Sequence, residues 1–379
     1  MKISRRSDIS PFYAMEVMKA ANEREAAGHS VLHLEVGEPG VGTPAGVVAA
    51  ARVALDEGAL GYTEALGLPD LRTAIAQHYG RTYGIEVPAE RIVVTTGSSG
   101  GFLLALLAAF DSGARIGIGV PYYPAYRNMM VALGLEVVPM ATTPETRFQP
   151  TAALLAKAGP LDGLLLCSPA NPTGTMLLGE EFEAVVSYCE GNGIRLLADE
   201  IYHGITYGTP AETSLRFGPH AVVLNGFSKY YCMTGWRLGW MVVPEDMLRP
   251  VERLAQNLYI SAPNISQRAA IAAFDCTDEL EANVASYAKN REVLLRELPR
   301  AGLTDLAPAD GAFYIYANVS HVTNDSSEFC RRMLAETGVA ITPGIDFDSS
   351  RGSAYVRISF AGTTDDMTET ARRLHAWLA

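Results

Sequence analysis

The spacing of apolar positions changes near residue 91. Before it, apolar residues recur at helical intervals over residues 14–27, 45–57 and 69–83, and Gly28 closes the first of these stretches. Residues 30–36 alternate as a strand does and end in the rigid turn Gly37-Glu38-Pro39-Gly40. From Arg91 onward, short apolar runs alternate with helical segments. The runs cover 92–95, 116–118, 135–138, 163–167, 194–198, 221–224 and 238–243, with helices predicted over 98–110 and 180–190. Short, continuously apolar strands parted by helices predict a mostly parallel, doubly wound α/β sheet covered on both faces. Helices then fill 245–259, 266–274 and 280–298. The tail reads strand, helix, strand, strand, helix through 313–317, 326–336, 339–342, 355–360 and a last helix ending at Leu378. The expected organisation is an N-terminal arm (1–15), a large domain (45–280), and a smaller α+β domain built from 16–44 and 281–379.

Composition narrows the partners. With 48% hydrophobic and 19% charged residues, the 379-residue chain is ordinary globular material, long enough for two cores. A net charge of −12 argues against nucleic acid or an anionic membrane as the main partner. Five scattered cysteines without a Cys-x-x-Cys pair read as reduced thiols, which points to a cytoplasmic protein. Residues 1–8 carry no apolar core of a signal peptide, and the longest apolar run, 102–110, is too short to span a bilayer. His29 and His33 straddle a predicted strand, where that spacing makes no metal-ligand pair, so no metal is expected.

Candidate chemistry clusters at the ends of the predicted strands, where doubly wound sheets bind ligands. Of the five lysines, Lys229 alone lies among Phe, Tyr, Cys, Met and Trp. A desolvated lysine loses its proton readily and becomes a nucleophile toward carbonyls; the plainer reading is a lysine that snorkels from a loop. Eight residues on, Arg237 stands between Gly235 and Gly239, where a guanidinium can grip a phosphate while the backbone passes close. Thr96-Gly97-Ser98-Ser99-Gly100-Gly101 joins a strand to a helix N-terminus, an anion site or a Gly-Ser cap. Asp199 ends an apolar strand and needs a cationic partner, unless it only caps the next turn. Prolines flank Asn171 and fix the aim of its amide. Tyr123 follows Pro121-Tyr122 and offers an aromatic face, though core packing is its commoner use. Arg357 sits opposite Val356 and Ile358 on a predicted strand, ordinarily the mark of a surface arginine.

Ser228-Lys229 followed by Gly-x-Arg-x-Gly, together with these motifs in order from Gly37-Glu38-Pro39 to Arg357, resembles the class I/II aminotransferase family of fold-type I enzymes. The resemblance implies pyridoxal 5′-phosphate (PLP), held by Lys229 as an internal aldimine. Ser98, Ser99, Ser228 and Arg237 would take its phosphate, Tyr123 its ring, Asp199 its nitrogen, and Asn171 and Tyr202 its phenolic oxygen. Arg357 would clamp the substrate carboxylate, assisted by the backbone at Gly37. Tyr62 matches a tyrosine that reaches the neighbouring subunit's phosphate, implying a homodimer with shared sites. The implied activity is transfer of an amino group from an L-amino acid to a 2-oxo acid by a ping-pong mechanism.

Two positions depart from the pattern. Gly226 stands where many members carry a phosphate-binding serine. Gln256 stands where dicarboxylate enzymes supply an arginine, which favours a neutral, aromatic or broad substrate over aspartate unless Arg5 or Arg6 substitutes. A β-lyase on the same fold shares every cofactor residue. A PLP-binding transcription regulator would need a basic helix-turn-helix domain for which the chain has no length, and a dehydrogenase would need a dinucleotide fingerprint it lacks.

Overall fold

A computed structural model describes residues 1–58 and 60–379. Helix α1 (Tyr13–Ala26) and the short strand β1 (Leu32–His33) lead into α2 (Ala45–Glu57) and α3 (Pro69–Tyr83). The large sheet is then built from β2 (Ile92–Thr95), β3 (Arg115–Val120), β4 (Glu136–Ala141), β5 (Gly163–Cys167), β6 (Arg195–Asp199), β7 (Val222–Gly226) and β8 (Gly239–Val242). Between its strands run α4 (Gly97–Ala109), α5 (Pro124–Leu133), α6 (Ala152–Lys157) and α7 (Gly179–Gly191). After α8 (Glu245–Leu258) and α9 (Asn264–Ile271), the long α10 (Thr277–Arg300) carries the chain to a second sheet. That part comprises β9 (Asp305–Leu306), β10 (Tyr314–Asn318), α11 (Ser326–Thr337), β11 (Val339–Ala340), β12 (Thr342–Pro343), β13 (Tyr355–Ser359) and α12 (Thr364–Leu378).

The seven strands lie in the order β2-β8-β7-β6-β5-β3-β4, parallel except for β8, which runs against both neighbours. Strands β2, β7 and β8 are buried along their whole length, which suits their mainly apolar sequences, Ile-Val-Val-Thr, Val-Val-Leu-Asn-Gly and Gly-Trp-Met-Val. One edge of the sheet therefore collects the carboxyl ends of β2, β3, β5, β6 and β7 together with the start of β8. Every loop singled out at the strand ends opens there. The second sheet is antiparallel, β12-β13-β10-β9, and β1 pairs with β11 alone.

The strand expected over 30–36 shrinks to Leu32–His33, because the following backbone bonds elsewhere. The Leu34 N–H donates to the Ala340 carbonyl, its carbonyl accepts from the Ser359 N–H, and the Glu35 carbonyl accepts from Arg357. Helices α5 and α6 were not anticipated. Helix α5 carries Pro124 in its first turn and ends at Gly134 in a left-handed conformation, φ 79°, so both its termini follow ordinary rules. The expected domain boundary at 280 falls inside the first turns of α10.

Candidate active site

A cavity of about 280 Å³ lies at that common edge of the large sheet. It is lined by Gly37, Ser98, Ser99, Tyr123, Asn171, Asp199, Tyr202, Ser228, Lys229, Arg237 and Arg357, eleven of the twelve residues expected at the site. Tyr62 is the exception: it is 82% exposed on the connection between α2 and α3 and does not reach this cavity within its own chain.

Lys229 stands on the connection from β7 to β8, and its Nζ donates to the Gly37 carbonyl at 2.5 Å. Burial pulls its pKa down to about 8, Glu38 opposes the fall, and Arg357 and Arg237 add to it. A useful fraction of the amine is thus neutral near neutral pH. Asp199, the last residue of β6, accepts the Ile201 N–H at 3.1 Å and the Tyr126 hydroxyl. Burial lifts its carboxyl to about 6, while those two donors and Lys229 hold it from rising further.

Arg357 is no surface arginine; it is 2% exposed. Its guanidinium donates to Asn171 Oδ1 at 3.0 Å, to Thr342 Oγ1 at 3.1 Å and to the Glu35 carbonyl at 2.5 Å, and it lies over the rings of Tyr314 and Phe347. No carboxylate pairs with it among the described residues, an arrangement that leaves a buried cation facing the cavity. The Tyr202 hydroxyl meets that of Tyr314 at 2.8 Å. Tyr123 stands edge-on to Phe12 and to Tyr126, with centroids 5.6 and 5.3 Å away.

The first turn of α4 has no side-chain cap, so its N–H groups face the cavity beside Ser98 and Ser99. The hydroxyls of Ser98, Ser99 and Ser228 make no hydrogen bond to another described residue. Glycine is needed here. A Cβ at Gly97, φ +74°, would come within 2.8 Å of Arg237 Nη2, and one at Gly239 within 2.7 Å of the Ser98 nitrogen. At Gly226 a Cβ would press on Ile201 and Gly239 at 3.1 and 3.3 Å, so the missing serine reflects a close crossing of backbones. Gln256 lies on the exposed face of α8 and reaches only Glu252, at 3.4 Å, and Arg5 and Arg6 form an exposed turn outside the cavity.

Sequence reasoning missed several residues of the wall: Phe12, Met15, Glu38, Tyr126, Met129 and Tyr314. Tyr126 had a partial signal, since it follows Tyr123 by three residues just past Pro124, a residue that suits the first turn of a helix.

This fold and this arrangement of lysine, aspartate, arginine and phosphate-type donors define a fold-type I enzyme that works with PLP. The family model "Aminotransferase class I and II" matches residues 29–374, and the chain belongs to that family. It is 51% identical over 382 residues to a valine–pyruvate aminotransferase of Mycobacterium tuberculosis, covering 100% of this chain and 98% of that one. A crystal structure of an aminotransferase from the same organism superposes with a TM-score of 0.98 at 50% identity, covering 100% and 99% of the two chains. The aspartate aminotransferase of Thermus thermophilus, solved with maleate, gives a TM-score of 0.93 at 30% identity over 99% of each chain.

The cofactor of this class fits the residues present. The uncapped helix start, three unpartnered hydroxyls and Arg237 suit a phosphate, the buried Asp199 suits a cationic ring nitrogen, and the depressed Lys229 suits a carbonyl carbon. No helix among the described residues is long and apolar enough to cross a membrane.

Proposed function

We propose that the chain transfers the amino group of a neutral L-amino acid to pyruvate or a similar 2-oxo acid, in two half-reactions at one site. The observation that carries this reading is the cation count of the cavity. Lys229, Arg237 and Arg357 are its only basic residues among the described lining, and bound PLP would engage the first two. Arg357 alone remains for a carboxylate, which a planar guanidinium grips in bidentate fashion. Phe12, Met15, Val36 and Met129 supply apolar wall for a side chain without charge. The valine–pyruvate activity named for the M. tuberculosis relative supports the same class.

Ser98, Ser99, Ser228 and Arg237 would hold the PLP phosphate, Tyr123 its ring, and Asn171 and Tyr202 its phenolic oxygen. Bound there, PLP supplies an electron sink for the pair left at the substrate Cα. Asp199, ionised against the ring N–H, keeps that nitrogen protonated. Arg357, with the backbone at Gly37, fixes the substrate carboxylate and so aims its Cα–H. Nζ of Lys229 takes that proton; a base of pKa about 8 suits proton transfer near neutral pH. We further read the working unit as a homodimer in which Tyr62 completes the partner's phosphate site, and the chain as a 45–280 domain beside one formed by 16–44 and 281–379.

The visible spectrum of the holoenzyme tests this reading, with single amino acids added and no oxo acid. Valine or alanine should bleach the yellow band fastest, pyruvate should restore it, and Lys229→Ala should lose both the band and turnover. Aspartate as the fastest donor, or ammonia released without an oxo acid, would overturn it in favour of a dicarboxylate enzyme or a lyase.

A further inference from the structure

A second cavity, about 330 Å³, opens behind the β7–β8 connection and is bordered by α3, β8 and the start of α10. It shares no lining residue with the first. Its volume is at the lower end of the range typical of small-molecule sites, roughly 300–1,000 Å³.

Its walls are aromatic. The His78 ring lies 5.5 Å from Phe274, 5.9 Å from Tyr83, 6.3 Å from Tyr231 and 6.4 Å from Trp240, mostly edge to face. A flat ring fits such a box through the same contacts. Among the polar side chains of the lining, His78, Arg81 and Glu281 carry open atoms. His78 Nδ1 meets the hydroxyls of Thr82 at 3.1 Å and Tyr231 at 3.5 Å, while its Nε2 has no partner among the described residues. Burial, assisted by Arg81, holds this imidazole at about 4, so at pH 7 it is neutral, and with Nδ1 accepting from the hydroxyls it presents an N–H at Nε2. Arg81 also lines the cavity and makes no ion pair or hydrogen bond with a described residue. Glu281 lines it too; its Oε1 accepts from the Tyr230 hydroxyl at 2.5 Å, and Oε2 stays open.

We propose that this cavity is a regulatory site for the zwitterion of an aromatic amino acid, with the ring in the aromatic box, the carboxylate on Arg81 and His78, and the ammonium on Glu281. A ligand without charge would leave both ions unused, and an aromatic acid without an amine would set its carboxylate against Glu281. The site is wired to the catalytic loops. Tyr230 and Tyr231 follow Lys229 directly, and Tyr230 ties that loop to α10. His203, also in the wall, donates from Nε2 to the Ser168 carbonyl at 3.0 Å, three residues before Asn171.

Equilibrium dialysis of L-phenylalanine against the holoenzyme tests the site, and Arg81→Ala/Glu281→Gln is the decisive variant. Both side chains are at the surface, so the variant should melt as the wild type does; Glu281→Gln alone serves if the pair does not fold. Wild type should bind phenylalanine at a site that survives Arg357→Ala, and the paired variant should weaken that binding at least tenfold. 3-Phenylpropionate, which lacks the amine, should bind at least tenfold more weakly than phenylalanine. At saturating donor, phenylalanine should change kcat in the wild type and leave the paired variant unaffected. Binding lost only in Arg357→Ala and untouched by the paired variant would put phenylalanine in the active site alone and overturn the inference. An unchanged kcat would overturn the regulatory role.

Discussion

Tyr126 and Glu200 show how single side chains set the electrostatics around the site. The Tyr126 hydroxyl donates to Asp199, whose carboxyl burial has lifted to about 6. A hydrogen bond to the ionised form favours that form, so its loss raises the carboxyl further. Tyr126→Phe should therefore move the acid limb of the kcat/KM profile to higher pH and lower the plateau about tenfold, as expected from losing one hydrogen bond to a charged group. An unmoved limb would show that Asp199 is not the group titrating. Glu200, the next residue, is fully buried; its Oε1 accepts three hydrogen bonds from Thr213 and Ser214, while Oε2 has none, and burial pushes its pKa to about 7. A carboxyl raised by folding binds its proton in the native state and not in the unfolded one between about 4.5 and 7. Its contribution to stability is present at low pH and lost as pH rises through about 7. Glu200→Gln keeps the Oε1 acceptor without the charge. Thermal melts should show the variant more stable than wild type at pH 8, by on the order of 2 kcal/mol, with the advantage shrinking below pH 7 and gone by about pH 4.

At the scale of elements, α1 forms part of the cavity wall proposed to meet the substrate side chain. Phe12 at its N-terminus and Met15 in its first turn line the cavity, yet the helix has no side-chain cap of its own. Asp346 supplies the cap from the far end of the chain, accepting the N–H groups of Tyr13 and Ala14, each at 3.2 Å. Removing such a cap costs about 1 kcal/mol. Asp346→Ala should raise KM for the amino donor several-fold while kcat holds within about twofold, since Asp346 touches none of the reacting atoms. A fall in kcat with KM unchanged would put its role elsewhere. This link was invisible beforehand because it joins residues more than three hundred apart, and spacing reports only local neighbours. The strand-end motifs were legible for the opposite reason. Ser98, Asn171, Asp199 and Lys229 each follow an apolar run that ends in turn residues, so the sheet itself brings them together. Helix α5 was lost because its start, Pro124-Ala125-Tyr126-Arg127-Asn128 close after Pro121, reads as loop, and Tyr126 was lost with it.

At the scale of the molecule, Tyr62 is the expected phosphate contact that the single chain leaves far out in solvent. If two chains complete each other's sites, Tyr62→Ala and Lys229→Ala chains should each be weak alone and recover activity when refolded together, because one hybrid site then holds both native residues. Absence of recovery in a mixture that does form hybrid dimers would exclude the shared site. The second core carries a further consequence. Ile201, Tyr202 and Ile205 leave the end of β6 and pack among Tyr287, Phe313 and Ile358, and the backbone of Ile205 bonds to Ala312. The residues next to Asp199 therefore belong to a cluster that the C-terminal sheet cannot keep closed without them. The large half cannot melt and leave the C-terminal half with its hydrophobic interior intact, because Ile201, Tyr202 and Ile205 go with it. In native-state hydrogen exchange, the amides of β10 and β13 should then be protected no more strongly than those of β6.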